Sequence, residues 1–149
     1  MKCHEVKISV VREAETEYKT TSPADISRFW DSEIRTAAWF QDEKEHFVVI
    51  CLSAKNYIKT YNLVSLGLLD SSLVHPREVF RPAIIAGSAN IIVTHNHPSG
   101  DTTPSSEDLQ ITRRIVEAGK IIGINLLDHV IIGNSFNSLR ESGTVDFNG

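Results

Sequence analysis

The sequence predicts a single α/β (α+β) domain, a sheet with helices packed against it. Three observations predict it. Short apolar, β-rich runs at residues 47–52, 90–94 and 125–133 alternate with helically spaced apolar residues in 26–37, 79–84 and 111–122, the pattern of a layered mixed fold. The chain has 149 residues, 41% of them hydrophobic and 23% charged, enough for one sizeable core. No internal repeat or internal domain boundary is visible in it.

Each element has its own signal. Val6, Ile8 and Val10 alternate with Lys7 and Ser9, which predicts a first strand. Residues 13–21 (EAETEYKTT) are polar and read as a loop. Ser22 then offers an N-cap and Pro23 the first helical position, and Ile26, Phe29, Trp30, Ile34 and Ala37 follow at helical spacing. Residues 1–39 are therefore expected to be an N-terminal strand and helix packed on a main domain of residues 40–149. Within that domain, residues 47–52 (FVVICL) predict a strand, Ala54-Lys55-Asn56 a turn, and 57–66 a second strand, broken by Asp70-Ser71-Ser72. Pro76 opens a helix carrying Val79, Phe80, Ala83 and Ile84, which Gly87-Ser88 ends. Residues 90–94 read as a fully buried strand and 96–104 as a loop. Residues 108–122 form an amphipathic helix with Ile111, Thr112, Ile115, Val116, Gly119 and Ile122 on one face. Strands at 125–133 and 136–139 complete the order.

Composition excludes several classes. The formal charge of -4 and the lack of a basic stripe argue against autonomous duplex DNA binding, which depends on phosphate contacts. Cys3 and Cys51 are the only cysteines and form no CxxC pair, so neither a disulfide scaffold nor cysteine-ligated zinc is expected. No run approaches the roughly 18 apolar residues of a membrane span, and the N-terminus lacks a signal peptide's apolar stretch. A reducing cytoplasm is the expected compartment.

The chemistry concentrates in residues 94–108, THNHPSGDTTPSSED. Side chains alternate along a strand, so His95 and His97 emerge on one side if the strand continues to His97. Two imidazoles at that spacing can share a metal ion, and Asp108 can swing back from the next helix. Two histidines and a carboxylate with an open fourth position form a hydrolytic zinc arrangement. Each piece alone also has a plainer reading. An H-x-H pair can be surface polarity, Ser105 and Asp108 fit a capping box, and Pro98, Gly100 and Pro104 can shape a turn.

Together, His95, His97, Pro98, Ser105 and Asp108 make H-x-H-P, six residues, then S-x-x-D. This resembles the JAMM signature of the JAB/MPN metalloprotease superfamily. The stretches LVHPREVFRPAIIAGSANIIVTHNHPSGDTTPSSEDLQITRRI and LLDHVIIG resemble its RadC-type branch, over roughly residues 40–140. The resemblance implies a curved mixed β-sheet flanked by helices, related to the cytidine deaminase architecture. It implies Zn2+ held by His95, His97 and Asp108. It also implies a general-base glutamate ahead of an apolar strand, which is Glu45 here, with Glu78 as second choice. Ser105 would donate a hydrogen bond to the developing oxyanion. His129 and Asp128, a pair that recurs in this branch, would either support the zinc ligands or make a buried structural hydrogen bond. Asn96 departs from the serine or threonine that eukaryotic members place between the histidines. The helix-hairpin-helix segment of full-length RadC proteins is not visible, so a stand-alone domain is expected.

The function expected is a zinc-dependent metallopeptidase or isopeptidase acting on a peptide or protein. The alternative is a DNA-repair-associated accessory or interaction module with a non-catalytic metal site. Nucleobase deamination would require H-x-E with P-C-x-x-C, and neither occurs.

Overall fold

The computed structural model describes residues 1–7, 18–67 and 74–148. In chain order the elements are α1 (Pro23–Phe29), a π-helical turn (Trp30–Ile34), β1 (His46–Leu52), β2 (Ile58–Leu66), α2 (Pro76–Ile85), β3 (Asn90–Asn96), α3 (Ser106–Ile122), β4 (Asn125–Ile132) and β5 (Phe136–Ser138). One five-stranded sheet runs β2-β1-β3-β4-β5. The β3–β4 pair is parallel and the other pairs are antiparallel. The mixed sheet flanked by helices is the expected fold class.

Burial explains the order. Every residue of β1 is buried, as an unbroken apolar run in a central strand requires. The edge strand β2 mixes half-buried and exposed positions. Parallel strands need a long crossover, and the 17-residue α3 supplies it between β3 and β4, ending at Gly123 in the left-handed conformation with φ 83°. Residue parity in β1 and β3 divides the core. Phe47, Val49, Ile91 and Val93 join Phe80 of α2 with Ile111 and Ile115 of α3 on one face. Val48, Ile50 and Ile92 join Ile26, Phe29, Trp30 and Ile34 on the other. His95 has the parity of Val93 and lies on the α2–α3 face.

Some boundaries differ from the sequence reading. The helix expected to reach Ala37 widens after Phe29, where the Arg35 N–H donates to the Trp30 carbonyl five residues back at 2.8 Å. This wider turn buries Trp30 and Ile34 together. Residues 18–20, expected as loop, run beside the start of β2. The Ile58 N–H donates to Tyr18 O at 2.8 Å and the Thr20 N–H to Asn56 O at 2.9 Å. Of the expected first strand, Val6 and Lys7 are exposed and outside any strand. The rest of it, most of the 13–21 loop and Asp70-Ser71-Ser72 lie outside the described residues. No helix among the described residues is long and apolar enough to cross a membrane.

Candidate metal centre

His95 sits at the carboxyl end of β3, fully buried on the α2–α3 face. His97 lies one residue beyond β3, yet its N–H donates to Ile132 O of β4 at 2.8 Å and continues the sheet's hydrogen bonding. The two rings therefore emerge on one side, with their Nε2 atoms 2.9 Å apart. The loop that follows folds back on β4. The Gly100 N–H donates to His97 O at 2.9 Å, and the Asn134 N–H donates to Gly100 O at 2.8 Å. Gly100 has φ 87°, a conformation that favours glycine. The His97 Nδ1–H donates to Asp101 O at 2.7 Å, which leaves Nε2 with its lone pair.

Asp108 arrives with the first turn of α3. Its N–H donates to Ser105 Oγ at 3.1 Å, and its Oδ2 accepts from the Ser105 N–H at 2.8 Å. This reciprocal capping box fixes the helix start and aims the carboxylate inward. Oδ1 lies 3.2 Å from His95 Nε2 and Oδ2 3.1 Å from His97 Nε2. All three side chains offer ligand atoms within 4.8 Å of one another. Zinc–nitrogen bonds of 2.0–2.1 Å would put tetrahedral ligands roughly 3.3 Å apart, close to the spacings here. Two imidazole nitrogens facing one carboxylate, with both Nδ1 atoms already engaged, form a donor set that fits a divalent cation.

The electrostatics agree. Burial pushes the Asp108 carboxyl up, but the His95 and His97 rings that face it outweigh this and hold the group well below the usual carboxylate range. The Asp108 carboxylate facing it raises His97 against the opposing effect of burial. Burial holds His129 well below its ordinary value, which keeps that ring neutral.

A RadC-like JAB domain family model matches residues 20–144. The chain belongs to that family. Its relatives include a UPF0758 protein of Caldanaerobacter subterraneus subsp. tengcongensis, 49% identical over 131 residues, 87% of this chain and 54% of the relative. Others are a UPF0758 protein of Bacillus cereus strain AH187, 46% identical over 134 residues (89% and 57%), and one of Methanosarcina barkeri, 44% identical over 132 residues (88% and 56%). The RadC-like JAB domain spans about half the length of these curated relatives.

In this JAB domain Glu45, immediately before β1, is half-buried and lines a 340 Å³ cleft with His97, Pro98, Ser105 and Asp108. It adds to the negative field that raises His97. Glu78 lies elsewhere, exposed on α2, with Arg77 at 3.3 Å and Arg81 at 4.0 Å. Ser105 both caps α3 and lines the cleft. A second 340 Å³ cleft lies at α1, lined in part by Ile26, Asp128 and Arg140; among the described residues no cluster of three metal-binding side chains lies there.

The Asp128–His129 pair divides. His129 is buried beside the centre, with its Nε2 2.6 Å from His95 Nδ1. Asp128 takes the second of the two expected roles, a buried structural hydrogen bond, because adjacent strand residues face opposite ways. Its carboxylate accepts from Ser138 Oγ at 2.6 Å and from the N–H groups of His129 and Arg140 at 2.7 and 3.1 Å. That makes it a structural anchor for β5. Burial still raises its carboxyl above the ordinary value.

Two contributors escaped the sequence reading. Asn96, noted there only as a departure, accepts from the His46 N–H at 2.8 Å and donates to Lys44 O at 3.0 Å, bracketing Glu45. Thr112, read there as core, places its hydroxyl 2.6 Å from His129 Nδ1. A polar residue four positions after Asp108 in an otherwise apolar stripe was the available signal.

Proposed function

We propose that this RadC-like JAB domain is a zinc-dependent hydrolase of the metallopeptidase or isopeptidase type, cleaving an amide bond in a peptide or protein. One observation carries the reading: His95, His97 and Asp108 converge, and His97 and Asp108 line a cleft together with Glu45. Zinc held by these three residues would supply Lewis acidity and lower the pKa of a water in its open position to about 7. The chain's own groups do the rest. The Glu45 carboxylate accepts a proton from the attacking water and passes it to the departing nitrogen. The Ser105 hydroxyl uses a lone pair to accept from the Asp108 N–H and keeps its hydrogen for the substrate carbonyl oxygen as charge develops there. Asn96 holds the segment that presents Glu45.

The test combines metal content with turnover. The purified protein should hold one zinc per chain, and the His95→Ala, His97→Ala double variant should lose it while remaining folded. Glu45→Gln should keep zinc and lose hydrolysis of a peptide library by roughly 10²–10⁴-fold. Full zinc in the double variant would refute the ligand set, and wild-type turnover in Glu45→Gln would refute the base. Stoichiometric zinc without turnover on any peptide or isopeptide would favour the accessory-module reading.

A further inference from the structure

We infer that Thr112 and His129 are positioning residues for the metal centre: a hydrogen-bond chain beginning at Asp108's own main-chain carbonyl fixes His95 in the tautomer whose Nε2 is bare. The inference rests on the proposed metal site and adds what sets its protonation pattern. Its direction follows from donor counting. A carbonyl oxygen only accepts, so the Thr112 hydroxyl, 2.6 Å from Asp108 O, donates its single hydrogen there. The same oxygen lies 2.6 Å from His129 Nδ1, so that contact has Nδ1–H as donor. A neutral imidazole protonated on Nδ1 has a bare Nε2. That atom, 2.6 Å from His95 Nδ1, accepts from it. The hydrogen of His95 is then on Nδ1, and its Nε2 lone pair points between His97 and Asp108.

The reverse direction fails at both ends. It would leave Thr112 Oγ1 and Asp108 O, two acceptors, 2.6 Å apart with no hydrogen between them. It would also put a hydrogen on His95 Nε2, where the cation must bind. His95, Thr112 and His129 are each 0% exposed, so water cannot substitute for a missing partner. His97 reaches the same tautomer through one contact, Nδ1–H to Asp101 O. Both histidines are thus set by main-chain carbonyls, one directly and one through two side chains. Asp108 acts on His95 twice, with its carboxylate at Nε2 and with its carbonyl, at a distance, on Nδ1.

Thr112→Val tests this because it nearly conserves volume and removes only the hydroxyl, while Thr112→Ser keeps the hydroxyl. Imidazole 15N shifts of the wild type should report His129 protonated on Nδ1, with and without zinc. Zinc affinity, measured by chelator competition, should fall about 10–100-fold in Thr112→Val and return toward wild type in Thr112→Ser. A packing role alone would leave affinity unchanged in Thr112→Val, and that result would overturn the inference. So would a wild-type His129 protonated on Nε2. The NMR measurement needs neither metal nor a folded variant, so it decides the direction of the chain even if Thr112→Val does not fold. A wild type that binds no zinc but shows Nδ1-protonated His129 would refute the metal site and uphold the direction.

Discussion

Gly133→Ala is a severe perturbation of the metal-side loop by a single methyl group. Gly133 follows β4, and a Cβ built on it would lie 2.4 Å from Gly100 O, 2.8 Å from Gly100 C and 2.9 Å from Thr102 Cγ2. Gly133 is not among the positive-φ residues, so the cost is steric. Non-bonded contacts settle near about 3.5 Å, so the loop must withdraw by roughly 1 Å. The 2.8 Å hydrogen bond from the Asn134 N–H to Gly100 O cannot survive that movement. Losing it costs about 0.5–1.5 kcal/mol, and overpacking adds about 1–3 kcal/mol. In a domain of this size that lowers the melting midpoint by roughly 5–15 °C. The same loop carries Asp101 O, the acceptor for His97 Nδ1–H, so zinc affinity should fall about 10–100-fold. Thermal melting of the metal-free protein and chelator competition for zinc measure the two effects. An unchanged midpoint together with an unchanged zinc affinity would refute the reasoning.

Three further outcomes are expected. Asn96→Ala leaves the buried His46 N–H without its acceptor and should cost about 1–3 kcal/mol in chemical denaturation; it should retain zinc while hydrolysis falls, because Glu45 loses its backbone support. The Thr21 N–H, with Arg28 and Ser22, lowers the Asp25 carboxyl from 3.8 to about 2 against the pull of burial. Its folded value lies below its unfolded one, so its stabilisation is full above about pH 4 and disappears as pH falls through about 2; acid titrations of wild type and Asp25→Asn should differ above that window and converge below it. The acidic chain should show weak or no binding to duplex DNA at physiological salt, and tight, salt-sensitive binding in a titration would contradict this.

The candidate ligands His95, His97 and Asp108 were legible because they lie within one strand–loop–helix unit. Strand alternation sets His95 against His97, and the capping box sets Asp108, so local spacing nearly determines the geometry. Glu45 was legible only by its order in the chain. Its nearness depends on antiparallel register, Phe47 opposite His95, which no local pattern reveals. The division of Asp128 from His129 follows from alternation. Which of them faces His95 depends on a register shift between Ile91 and Ile92, whose partners are Leu126 and Asp128. The widened turn at Trp30 keeps a helical apolar spacing and so reads as ordinary helix. Thr112 was hidden because its value lies in two contacts made across the interior.

The contiguity of β3, the loop and α3 bears on how the molecule comes apart. All three candidate ligands fall in one short stretch of chain, whereas Glu45, fifty residues earlier, is brought in by the pairing of β1 with β3. Longer closures cost more chain entropy, about 0.6 kcal/mol per doubling, and proteins open in cooperative pieces that follow such motifs. On the proposed reading, release of the segment that carries Glu45, just ahead of β1, would remove the proton acceptor and leave the three candidate ligands in place. Along a denaturant gradient, turnover should then vanish before zinc is released. Metal content in a preparation would count molecules able to hold the ion, and would overstate those able to hydrolyse.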